Sequence, residues 1–126
     1  MDRPLITQGF RTEIQEVPGR HDVSKLVVQG RITYHEAPEF REIIFGEVSS
    51  TRLTALVVEL GGVKHIDTAG LAVLVEGLLA SRQRNLRMLL CQPSESVLQI
   101  FRLAGLRDAL EASCTRPGEV ERRLMG

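Results

Sequence analysis

Residues 57–79 read VVELGGVKHIDTAGLAVLVEGLL. Extended back to Thr54, the opening run TALVVEL is almost continuously apolar and β-branched, as a strand covered on both faces requires. The closing run is helical, because Leu71, Leu74, Val75, Leu78 and Leu79 fall at offsets of three, four, seven and eight along one face. Between them stand Gly61-Gly62, read as a turn, and the short polar loop Asp67-Thr68-Ala69-Gly70. A buried strand that passes through a loop directly into an amphipathic helix predicts a central parallel strand of an α/β fold.

The flanking sequence extends that unit in both directions. Loose alternation over 10–17 and again over 25–29, separated by Pro18 to Asp22, predicts an N-terminal hairpin whose second strand Gly30 closes. A helix over 37–48 turns Phe40, Ile43, Ile44 and Val48 inward, with Pro38 in its first turn. RMLLC at 87–91 predicts another buried strand, and Ser94 supplies an N-capping hydroxyl for a third helix with Val97, Ile100, Phe101 and Ala104 inward. Gly105 is placed as a left-handed cap with Leu106 making the hydrophobic contact that follows it. A weak strand over 109–112, and either one or two helical turns or a frayed end over 119–124, complete the pattern. The expected fold is a mainly parallel sheet of four to five strands, flanked by helices and joined by right-handed crossovers.

The chain has 126 residues, 43% of them hydrophobic, which suffices for the core of one domain but not of two. Sixteen basic residues balance sixteen acidic ones without long blocks of either sign, so direct nucleic-acid binding has no evident electrostatic source. MDRPLITQGF lacks the apolar stretch of a secretory signal, and Glu76, Arg82 and Arg84 interrupt the most apolar region, so no membrane insertion is expected. Cys91 and Cys114 read as thiols of a reducing compartment, which points to the cytoplasm.

Loops beyond the carboxyl ends of parallel strands are where ligands and partners engage, since helix N-termini present free N–H groups there. Asp67 or Thr68 would cap the second helix, and Gly70 would allow close packing. An exposed Thr68 hydroxyl is equally a phosphorylation site, because the helix dipole lowers the cost of the added negative charge. The two roles are compatible.

Ile66-Asp67-Thr68-Ala69-Gly70-Leu71 resembles the loop motif of the STAS domain family of bacterial anti-sigma factor antagonists: Asp, Ser or Thr, a small residue, Gly, Leu. Cys91, Ser94, Val97, Ile100-Phe101 and Gly105-Leu106 follow in the family's order and approximate spacing. The resemblance spans roughly residues 22–112 of a single domain covering 1–126, with 113–126 as a C-terminal tail. It implies a non-enzymatic module without cofactor or metal that binds an anti-sigma factor/serine-threonine kinase until its loop hydroxyl is phosphorylated. It also allows a homodimer. Thr68 takes the phosphoacceptor position, and Asp67, Ala69 and Gly70 form the switch loop around it. Where the family often carries Gly-Glu-Leu-Asp after its second strand, this chain reads Gly30-Arg31-Ile32-Thr33. The same loop also resembles the STAS subunit of a lipid-transport system, whose partner is an ABC transporter ATPase. Val73, Gly77 and Ala80 form a small, apolar strip on the second helix, read either as a partner surface or as the seat of another element of the fold.

Other chemistries fit poorly. A receiver-type phosphoacceptor needs an acidic pair for magnesium and a late lysine, whereas the only lysines are Lys25 and Lys64. No Gly-Lys-Ser/Thr follows the paired glycines, and His21, His35 and His65 lack partners at zinc-binding spacing. Arg82, Arg84 and Arg87 suit a helix C-terminus better than a phosphate site.

Overall fold

The computed structural model describes residues 3–7 and 9–115. Its elements are β1 (Arg3–Thr7), β2 (Phe10–Val17), β3 (Arg20–Ile32), α1 (Ala37–Val48), β4 (Ala55–Ile66), α2 (Thr68–Gln83), β5 (Arg87–Cys91), α3 (Glu95–Leu103), α4 (Arg107–Ser113) and β6 (Cys114–Thr115). Six strands lie in one sheet in sequence order. The β1/β2 and β2/β3 pairs are antiparallel, and β3, β4, β5 and β6 run parallel. The α/β class, the mostly parallel central sheet and the N-terminal hairpin thus stand. The sheet is one or two strands wider than expected because β1 and the two-residue β6 extend its edges.

Alternation along the strands assigns the two faces of the sheet. Leu26, Val28, Leu56, Val58, Leu60, Met88 and Leu90 join Phe40, Ile44, Val48, Leu71, Leu74, Val97, Phe101 and Leu110 from the four helices in one buried cluster. The helices therefore pack on a single face. On the other face Val23, Ala55, Val57, Leu89 and Cys91 form a smaller buried cluster. Both faces of β4 are consequently covered, which explains its run of apolar residues.

Local signals place the turns. Pro18 and Gly19 join β2 to β3, with Gly19 at φ 78° supplying the left-handed step. At the end of α3, Gly105 has φ 73°, its N–H reaches the Arg102 carbonyl, and the Leu106 N–H reaches the Phe101 carbonyl. These two bonds are the Schellman pattern expected of this glycine.

Three expectations need correction. Gly61-Gly62 is not a turn: β4 runs through it to Ile66. Pairing jumps from Val27↔Glu59 to Gln29↔Gly62 and from Gly30↔Val63 to Arg31↔His65, so β4 carries an extra residue at each of two bulges. Likewise β3 passes Gly30 and ends at Ile32. Residues 109–112 belong to helix α4, because Asp108-Ala109-Leu110-Glu111-Ala112 is rich in helix formers and Arg107 pairs with Glu111 one turn on. The helical turns expected over 119–124 lie outside the described residues.

Candidate functional site

The site forms where β4 gives way to α2. Asp67 is the N-cap residue: its Oδ1 accepts the N–H groups of Ala69 at 3.0 Å and Gly70 at 3.1 Å. Its other oxygen, Oδ2, accepts the Tyr34 N–H at 2.9 Å. One carboxylate thus satisfies two otherwise orphaned donors of α2 and joins that helix to the loop between β3 and α1. Capping falls to Asp67 and not to Thr68. Thr68 is exposed, and among the described residues its hydroxyl takes no hydrogen bond. The hydroxyl stands in the first turn of a sixteen-residue helix, where the dipole favours added negative charge.

Gly70 is buried for a steric reason. A Cβ there would collide with the Ile32 carbonyl oxygen and lie 2.9 Å from Ile66 Cγ1. The start of α2 therefore rests directly on the ends of β3 and β4, which fixes the position of the Thr68 backbone. Ala69 is partly buried against the core cluster.

The loop from Thr33 to Glu36 is held from within. Glu36 Oε1 accepts both the Thr33 N–H at 2.9 Å and the Thr33 hydroxyl at 2.7 Å. Burial pushes the Glu36 carboxyl up, but the two Thr33 bonds, with Arg31 and His35 nearby, outweigh it and hold the carboxyl below its ordinary value. Tyr34 is 65% exposed and its ring lies 4.0 Å from that of His35, centroid to centroid. The Thr33–Glu36 spacing, which resembles a capping box, was a readable signal for this loop. Its bond to Asp67 had none, because the two residues are joined only by the parallel pairing of β3 with β4.

The strip Val73, Gly77 and Ala80 does not face solvent as a free partner surface. Val73 is fully buried, Ala80 is partly buried, and a Cβ on Gly77 would lie 2.8 Å from Ile44 Cγ2 of α1. The small side chains let α1 pack closely on α2. By the same rotation of the helix Leu79, expected inward, is 54% exposed. Ala104, likewise expected inward, is the exposed C-cap of α3.

His21, His35 and His65 are all exposed, and no cluster of metal-binding side chains occurs among the described residues. No helix there is long and apolar enough to cross a membrane.

Comparison with known proteins places this geometry. A family model described as the STAS domain matches residues 15–117. An anti-sigma-B factor antagonist of Listeria monocytogenes is 30% identical over 87 residues, covering 68% of this chain and 75% of that protein. Among solved structures, the unphosphorylated anti-sigma factor antagonist SpoIIAA superposes with a TM-score of 0.69 at 16% identity, over 88% of this chain and 91% of that one. An anti-sigma factor antagonist from Mycobacterium paratuberculosis does so with 0.66 at 22% identity, over 82% and 93%. Those two likenesses concern the fold alone. The family match and the Listeria relative carry the assignment further: this chain belongs to the STAS domain family and is similar to anti-sigma factor antagonists.

Proposed function

We propose that this chain is a non-catalytic protein-interaction switch, binding an anti-sigma factor/serine-threonine kinase through the mouth around Thr68 and losing that partner when Thr68 is phosphorylated. The observation that carries the reading is the division of labour at the loop. Asp67 takes over the capping bonds, and Thr68 is left exposed on a backbone held by Gly70. A hydroxyl free of structural duty can be modified without unfolding the helix that presents it.

The physics of release is desolvation. A partner laid over the start of α2 strips water from Thr68, which a neutral hydroxyl tolerates and an unpaired phosphate does not. The Listeria antagonist supports a regulator over an enzyme.

Incubation of the chain with its cognate anti-sigma kinase and ATP, followed by mass spectrometry, tests the reading. One phosphate is expected on Thr68 and none on a Thr68→Ala protein. Absence of both phosphorylation and kinase binding would overturn the reading in favour of an accessory subunit that binds an ABC transporter ATPase.

A further inference from the structure

A shallow groove of about 470 Å³ is lined by Gly9, Phe10, Arg11, Gln29, Gly30, Gly62 and Lys64, the last of which stands four residues before Thr68 in the chain. Among the described residues its lining carries two cations, one amide and no carboxylate. Glycines let its walls pack closely: a Cβ on Gly62 would lie 2.7 Å from Gln29 Cγ, and one on Gly30, at φ 94°, would collide with the Gly9 carbonyl oxygen. Register runs across the groove, since Arg11 pairs with Gln29 and Gln29 with Gly62.

Lys64 owes its place to the second bulge of β4. It is the extra residue between Val63, paired with Gly30, and His65, paired with Arg31. Its carbonyl oxygen accepts the Ser96 hydroxyl at 2.6 Å, which pins the bulge to the start of α3. Bulges commonly re-aim a side chain next to a functional site. From the groove the strands lead to the mouth, because the Arg31↔His65 and Ile32↔Ile66 pairs are followed directly by Asp67 and Thr68. Arg11, Arg31, Lys64 and His65 are all exposed, and none forms an ion pair among the described residues.

Among the described residues the carboxylates around the groove are largely engaged. Asp67 is bound by three N–H groups; Glu36 takes Thr33 with Oε1, while its Oε2 lies beside Gly9 and the Arg31 side chain, at the edge of the groove. Glu13 takes the Gln15 side chain, and Glu59 pairs with Lys25. Glu95, next to Ser96 at the start of α3, is exposed.

From this charge pattern we infer that the groove between Arg11 and Lys64 seats an acidic segment of the protein partner that covers Thr68. The inference rests on the proposed switch and adds the partner's chemistry. An acidic surface docked beside Thr68 repels a phosphate there, and a phosphate drawn instead to Arg31 or His65 neutralises the cations that the partner needs. Both routes release the partner.

The test uses the full chain labelled with ¹⁵N and two probes. At an ionic strength of about 10 mM, where charges interact over about 30 Å, hexaglutamate should shift the amides of Arg11, Gln29, Gly62 and Lys64. The shifts should vanish in high salt and in the Arg11→Glu/Lys64→Glu protein, while hexalysine leaves those amides unmoved. A hexaglutamate footprint elsewhere, no footprint, or tighter binding of a single-stranded oligodeoxythymidylate at the same amides overturns the inference, the last in favour of nucleic acid. Against the cognate kinase, the same charge reversals should weaken binding at least tenfold. Kinase binding indifferent to them overturns the acidic partner and leaves the Thr68 switch standing. No kinase binding at all removes the switch, and the hexaglutamate footprint then decides the groove alone.

Discussion

The Asp67 carboxylate accepts the Tyr34 N–H at 2.9 Å across 33 positions of sequence, while its other oxygen caps α2. This one side chain sets the relative position of the two loops that frame Thr68. Its removal leaves donors without acceptors on both.

Asp67→Ala is expected to destabilise the chain by about 1–3 kcal/mol in urea unfolding, as a lost cap together with an unmet N–H. Asp67→Asn keeps one carbonyl oxygen for two tasks and should recover part of that loss. An alanine variant as stable as the parent would show that the bridge contributes nothing.

Gly70→Ala should cost about 3 kcal/mol, because the added methyl meets the Ile32 backbone, which has no rotamer by which to yield. Thermal unfolding of the two proteins checks this. An unchanged midpoint would mean that α2 does not sit on β3 as closely as described.

The rotation of α2 is tested by a pair of truncations. Val73→Ala should cost about 2 kcal/mol, since its side chain is fully buried, whereas Leu79→Ala, at an exposed position, should stay within about 0.5 kcal/mol. The reverse order would restore the face that the sequence periodicity suggested.

That periodicity misled for a physical reason. Leu71, Leu74 and Leu78 do mark the side turned to the sheet, but α2 is also covered by α1, and a helix buried on two sides does not show its second face as a stripe of large residues. Gly77 has no side chain because Ile44 and Met88 are close. The elements 37–48 and 87–91 were legible to the residue because Pro38 in the first turn agrees with the helical periodicity of the one, and the other is a short unbroken apolar run. The glycines of β4 were not, since paired glycines favour a turn unless a neighbouring strand supplies the hydrogen bonds, and that neighbour, the continuation of β3 past Gly30, is itself hidden by a glycine. At the site, Asp67, Thr68 and Gly70 stood out by motif. Lys64 and Tyr34 did not, because their roles depend on strand register and on the fold of an adjoining loop; Glu36 carried only the capping-box spacing to Thr33.

Acid should reveal two of the carboxylates. Asp22 is held well below the ordinary range by hydrogen bonds from Arg20 and Thr54, and Glu36 is lowered in spite of its burial. A carboxyl with a folded pKa below its unfolded one stabilises the fold above the unfolded value and loses that contribution as pH falls through the folded one. The stability gap between the parent and Glu36→Gln should therefore be widest near neutrality and shrink as pH falls below the ordinary glutamate value. A gap that grows on acidification would reverse the sign.

The account rests most heavily on Thr68 as a switch, and the affinity of the cognate kinase for the chain before and after stoichiometric phosphorylation of Thr68 tests it directly. Binding weakened at least about tenfold, or 1.4 kcal/mol, with the same direction in Thr68→Glu, is the predicted result. Equal or tighter binding by the phosphorylated chain would contradict it.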